Sequence, residues 1–227
     1  MDQPERRSPA IIFDFGGVLI DWNPRYLYTP LFDNDADAME RFLTEIDFVE
    51  WNTEQDRGRP FAVAINELSE RFPHYADYIR AYDERWEESV GGAIEGTVAL
   101  LIALKRAGFA LYGLSNWSAE TFRRIRHQYP FLDLLDEIVL SGEVQMVKPD
   151  PRIYAVLLER IKRPAADCLF IDDSEANIAI AEQLGFQTIR FTSPEQLARE
   201  LIAHGLLAQD ADPLATTLPD STSNAEA

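Results

Sequence analysis

A few polar residues in this sequence, each closing an apolar run or standing in the loop beyond one, could together handle an anion beside a divalent cation. Asp14 ends the run "PAIIF" and is followed, after Phe15, by Gly16-Gly17. A buried strand has no use for a carboxylate, and glycines clear side chains from the turn so that the backbone can approach a ligand. Ser115-Asn116 follow "LYGL", Lys148 stands in "MVKPDPRIY", and Asp172-Asp173 follow "LFI". Taken singly, Ser115 or Asn116 starts a turn, Lys148 is a surface lysine, and Asp173 or Ser174 caps a helix. Taken together, three acids suit Mg²⁺, while Lys148 and the Ser115 hydroxyl neutralise and orient a phosphate.

Bringing those ends together requires a particular arrangement of elements. From about residue 94 onward strands and helices alternate. The spacing of Val98, Leu101, Ile102 and Lys105 predicts a helix closed by Gly108. Strands are expected at 109–114, 136–141, 168–171 and 187–191, after the first at 10–13. Helices are expected at 118–128 (capped by Ser118), 150–161 (Pro151 in its first turn), 174–184 and from "SPEQLARELI". Alternation of this kind predicts an α/β fold, a parallel sheet with helices on both faces, in which ligands bind beyond the carboxyl ends of the strands. Residues 22–91 differ. Their amphipathic segments carry no convincing strand, so they read as an inserted α-helical cap, hinged near Asp21 and at Gly91-Gly92. The core then comprises 9–21 and 92–205, with disordered tails at 1–8 and 206–227.

The balance of 39 acids against 21 bases, a formal charge of −18, disfavours nucleic acid and anionic membrane as partners. It also repels a phosphorylated metabolite unless the site carries its own cations; the expected partner is a small phosphorylated metabolite, and the chain is expected as a monomer or homodimer. Cys168 has no second cysteine to pair with and fits a reducing, cytoplasmic setting. No apolar run reaches the length of a membrane span. His74, His127 and His204 lack metal-ligand spacing and read as surface residues.

The stretches "FDFGGVL", "LSNWS", "KPDPRIY" and "FIDDSEAN" resemble the four motifs of the haloacid dehalogenase superfamily, over roughly residues 10–202. The subclass is the one with a helical cap after the first motif. The resemblance implies a Rossmann-like core with the first strand central, between the second and fourth core strands. It implies a Mg²⁺-dependent phosphatase in which Asp14 is the nucleophile and forms an aspartyl-phosphate. The metal would be held by Asp14, the Gly16 carbonyl, Asp172 and Asp173. Ser115, Asn116 and Gly17 would contact the phosphate, and Lys148 would offset its charge.

One position departs from the pattern. The superfamily's phosphatases usually carry an acid two residues after the nucleophile, to protonate the leaving group; here that position is Gly16. The bacterial glucose-1-phosphatase group resembles this sequence in that respect, which points to a sugar phosphate with an easily displaced leaving group. Asp21 is a conceivable substitute acid, and Trp22, Arg25 and Trp117 stand where a cap would meet the site. Two other readings use the same residues: a metal-free 2-haloacid dehalogenase, and a catalytically inactive binding protein. A phospho-accepting receiver is disfavoured by motif order, because here the acid pair comes last.

Overall fold

The computed structural model describes residues 8–208. The expected tails at 1–7 and 209–227 lie outside the described residues. The chain opens with β1 (Ala10–Phe13) and the short β2 (Ile20–Trp22). Five helices follow: α1 (Pro24–Leu31), α2 (Ala36–Glu45), α3 (Phe48–Asp56), α4 (Phe61–Arg71) and α5 (Ala76–Glu84). After β3 (Val90–Ala93) come α6 (Glu95–Arg106), β4 (Leu111–Ser115), α7 (Ala119–Ile125), β5 (Glu137–Leu140) and the single turn α8 (Ser141–Val144). The chain ends with α9 (Pro151–Ile161), β6 (Cys168–Asp172), α10 (Glu175–Gln183), β7 (Gln187–Arg190) and α11 (Pro194–Ala203).

Five strands form one parallel sheet in the order β5-β4-β1-β6-β7. The central strand is β1, with β4 on one side and β6 on the other. The chain moves outward through β4 and β5, then crosses back to β6 and β7, so the strand order reverses beside β1. Alternate residues of the buried strands feed two cores. Ile11, Phe13, Leu169 and Ile171 face one layer; Ala10, Ile12, Cys168 and Phe170 face the other. This period of two explains why such strands read as continuous apolar runs in the sequence.

The first of these cores continues into the helical segment, where Tyr28 sits against Phe42 (ring centroids 4.9 Å apart), Phe48 (6.1 Å) and Tyr82 (6.2 Å). That aromatic packing gives the five helices an apolar interior that joins the sheet without a break.

Several expectations are corrected. The segment expected to lack strands ends in one: β3 begins at Val90 and pairs antiparallel with β2, Asp21 opposite Gly92. The expected hinge positions are therefore a two-stranded ribbon. The strand expected from 109 starts at Leu111, because Phe109 donates its N–H to Leu104 and still belongs to the turn closing α6. The helix expected to 128 is α-helical to Ile125 and tightens to 3₁₀ over Arg126–Gln128. Residues 206–208 were expected in the tail. Instead Gly205 turns the chain (φ +70°), and Leu207 is buried in the core.

One glycine shapes the ground beneath the site. A Cβ on Gly113 would lie 2.5 Å from the Phe15 ring, which stacks on Phe122. Gly113→Ala is expected to lower stability by about 1–3 kcal/mol through overpacking. The check is a lower urea midpoint at unchanged slope.

Candidate active site

Asp14 follows β1 directly, while Ser115 and Asp172 are the last residues of β4 and β6. Three adjacent strands thus deliver their chemistry to one edge of the sheet, at the point where strand order reverses. The Asp14 N–H donates to the Ile171 carbonyl (2.9 Å), and Asp14 Oδ1 accepts from the Phe15 N–H (2.7 Å). Beyond it, Phe15–Ile20 form a tight turn in which the Leu19 and Ile20 N–H groups both donate to the Phe15 carbonyl.

Lys148 arrives from the loop before α9 and is only 3% exposed. Its Nζ lies 2.6 Å from Asp172 Oδ2 and 2.9 Å from Asp14 Oδ1. Burial works against the ammonium, but the charges of Asp14 and Asp172 outweigh it and raise the lysine above its ordinary range. Asp172, fully buried, accepts from the Ser174 N–H (2.9 Å) and from Asn177 Nδ2 on both oxygens (3.0 and 3.1 Å). Burial pushes the Asp14 carboxyl up to about 7; the Lys148 charge opposes this, while those of Asp172 and Asp173 add to it. Asp173 is also raised, by burial and then by Asp172.

One oxygen each from Asp14, Asp172 and Asp173 lie within 4.8 Å of one another. Hard carboxylate oxygens at this spacing fit Mg²⁺. A divalent cation would also relieve the like-charge repulsion that helps to raise Asp14. Ser115 Oγ is buried with no hydrogen-bond partner among the described residues. Such an orphaned hydroxyl suits an incoming anion.

Two expected phosphate contacts have a different setting. The Asn116 amide faces Lys148: its Nδ2 donates to the Lys148 carbonyl (2.9 Å), and its Oδ1 accepts the Lys148 N–H (2.7 Å). Both ends of that side chain fix the lysine's main chain. Gly17 has φ +77°, and a Cβ there would fall 2.6 Å from Asp173 Oδ2, so its lack of a side chain lets that carboxylate approach. Gly16 differs, since a Cβ there would meet nothing within 4 Å.

A small cavity opens over this edge. Gly16, Asn116 and Trp117 line it from the sheet side; Trp22, Asn52, Asp56, Tyr82 and Trp86 line it from the ribbon and helices. Trp22 and Trp117 therefore reach the site. Arg25 lies in an adjoining groove and is paired with Glu40 at 2.9 Å. Asp21 accepts from the Tyr26 hydroxyl (2.8 Å) and does not line the cavity.

Sequence reasoning did not single out Asn177, Asn52 or Asp56. The first stands five residues after Asp172, within the quoted "FIDDSEAN", and its spacing from the acid was a usable signal. The other two lie in the helical segment, and their sequence neighbourhood sets them apart from no other polar helical residue.

A buried lysine bridging two carboxylates, a third acid beside them and an orphaned hydroxyl thus meet at one edge of the sheet. A model of haloacid dehalogenase-like hydrolases matches residues 9–185, and the chain belongs to that family. A sesquiterpene phosphatase from Aspergillus oryzae is 29% identical over 197 residues, 85% of this chain and 94% of its own length. A phosphorylated carbohydrates phosphatase from Thermotoga maritima is 27% identical over 191 residues, 79% of this chain and 83% of its own. A HAD family enzyme from Bacteroides thetaiotaomicron, solved with magnesium and inorganic phosphate, shares the fold. Its TM-score is 0.64 at 24% identity, over 82% of this chain and 96% of that one. Among the described residues no helix is long and apolar enough to cross a membrane.

Proposed function

We propose that this hydrolase is a Mg²⁺-dependent phosphatase of a small phosphorylated metabolite, working through an aspartyl-phosphate on Asp14. The observation that carries the reading is the convergence of Asp14, Asp172 and Asp173 on one point beside a buried Lys148. Displacing halide from a carboxylate-bearing substrate gains nothing from two further acids, whereas binding Mg²⁺ and a phosphate uses all three. The phosphatases among the relatives support the same choice.

In this reading Asp14, Asp173, the Gly16 carbonyl and Asp172 would hold the metal, and Lys148 and Asn177 fix the Asp172 carboxylate beside it. The bound Mg²⁺ supplies Lewis-acid neutralisation of phosphate charge. Asp14 attacks phosphorus from a fixed position, its orientation set by the Phe15 N–H and Lys148. The Ser115 hydroxyl and the Lys148 ammonium hold the phosphoryl oxygens as charge shifts between them. Asn116 serves this chemistry at one remove, by fixing the lysine's main chain. The organic part of the substrate lies against Trp22, Tyr82, Trp86 and Trp117. Those walls suit the apolar face of a sugar ring or a hydrocarbon chain.

The test is release of phosphate from 4-nitrophenyl phosphate, with Mg²⁺ and with EDTA. Turnover is expected to require Mg²⁺ and to return when the metal is added back. Halide release from 2-chloropropionate that persists in EDTA, with no phosphate released in either condition, would overturn the reading in favour of a dehalogenase.

A further inference from the structure

We propose that Asp56, at the end of α3, is the general acid that protonates the leaving group and the general base that then activates water. The assignment rests on the phosphatase reading and extends it to a residue outside the core motifs.

Cleaving an alkyl phosphate leaves an alkoxide unless a proton arrives as the bond breaks. The donor has to line the cavity that Gly16 and Asn116 border, next to the strand end that carries Asp14. Gly16 has no side chain. Asn52, Asn116 and the three tryptophans there have no proton to give at neutral pH. The Tyr82 hydroxyl already donates to Asn52 Oδ1 (2.7 Å), and burial raises it well above its ordinary range. Asp56 is the remaining titratable group of that lining.

Its carboxyl is held for the task. Oδ1 accepts the Ser118 N–H at 3.1 Å, on the loop that carries Ser115 and Asn116. Oδ2 accepts from Asn52 Nδ2 at 3.0 Å, and Asn52 is itself fixed by Tyr82. The Asp56 carbonyl accepts the Ser141 hydroxyl at 2.5 Å, which ties the end of α3 to the start of α8. Burial pushes the carboxyl up to about 8; the Ser118 N–H opposes this and the charge of Asp14 adds to it. The carboxyl therefore holds its proton to higher pH than a free aspartate does. A protonated carboxyl can accept both bonds and still direct its O–H into the cavity.

The step balances. Asp14 forms a bond to phosphorus, the P–O bond to the organic group breaks, and its electron pair takes the proton from Asp56. The alcohol departs and leaves Asp56 as a carboxylate. Asp56 then takes a proton from the water that attacks phosphorus, releasing inorganic phosphate and restoring both aspartates.

The same contacts would also make Asp56 a simple latch between α3 and the sheet. The two roles predict different dependence on the leaving group. 4-Nitrophenolate departs unaided, whereas n-propoxide does not. For Asp56→Asn, the kcat/KM for n-propyl phosphate relative to 4-nitrophenyl phosphate is expected to fall about 10²-fold or more. A latch would lower both substrates equally, and that result overturns the proposal, as does no change in either.

Gly16→Asp in the Asp56→Asn background is expected to recover n-propyl phosphate turnover, because Gly16 borders the same cavity and a Cβ there meets nothing within 4 Å. The wild type provides a measurement independent of how any variant folds. Its rates across aryl and alkyl phosphates should depend only weakly on leaving-group pKa, and a steep dependence, or no alkyl turnover, overturns the assignment. A wild type that releases no phosphate even from 4-nitrophenyl phosphate with Mg²⁺ overturns the phosphatase reading itself. Failure of Asp56 alone leaves that aryl activity in place.

Discussion

Asp14→Asn is expected to abolish turnover, by about 10⁴-fold or more, while leaving the protein at least as stable as the wild type. Asparagine keeps the shape and can still accept the Phe15 N–H, but it cannot form an acyl phosphate by in-line attack. Stability follows from the sign of the proton linkage. The folded-state value of about 7 lies above the ordinary carboxylate range, so the folded state holds the Asp14 proton more tightly than the unfolded chain does. Below pH 4 both states carry the proton and the residue costs nothing. Between pH 4 and 7 the unfolded chain ionises first, and the penalty on folding grows to its full size. Without Mg²⁺, the variant and wild type should melt together near pH 4, and the variant should melt higher at pH 8. A variant less stable at pH 8 would mean that Asp14 is a net support of the fold.

Lys148→Ala has the second large effect, and it acts on stability as well as rate. From sequence alone Lys148 reads as a charge that could be removed with the fold intact. Its burial between Asp14 and Asp172 alters that expectation. Truncation leaves two buried carboxylates facing each other without a cation, a loss of about 3–5 kcal/mol. The melting temperature should drop accordingly, and Mg²⁺ should restore part of it by supplying positive charge to the same oxygens. Turnover should stay crippled in saturating Mg²⁺, because the ammonium also serves the phosphoryl oxygens. Recovery of both stability and rate with Mg²⁺ would mean that the lysine only balances charge.

The sheet and the meeting of its polar strand ends were legible because each of those residues ends a run of buried, apolar strand. Asp14, Ser115 and Asp172 stand out against "AIIF", "LYGL" and "LFI", and alternation with helices implies that those ends meet. What could not be read depends on partners distant in the chain. Val90–Ala93 contains two glycines, which carry no strand preference of their own; it becomes a strand only because Ile20–Trp22 lies opposite. Asn116 is a turn residue by local pattern, and the Lys148 backbone, far along the chain, claims its amide. Asp56 ends a helix with little hydrophobic patterning, which buries Gln55 and exposes Val49, and its place at the cavity arises from where that helix docks. Leu207 lies next to a polar stretch, so composition placed it in the tail although the core takes it up.

The β2–β3 ribbon has a consequence for how such a molecule can be remade. Paired strands run about 5 Å apart, so the chain leaves the sheet side and returns to it almost at the same spot. The ribbon is extended at both ends, by the Asn23 N–H on the Ser89 carbonyl and the Ile94 N–H on the Leu19 carbonyl. Residues 24–89 thus hang from a stem whose two rails fix each other, and the register of β1 against β4 and β6 does not depend on their length. Helices in that loop could be exchanged, lengthened or recoded for another organic group while Asp14 stays where it is. The strand ends that place Asp14 and the helices that face the organic group are, in that sense, separately heritable, and Asp56 travels with the helices.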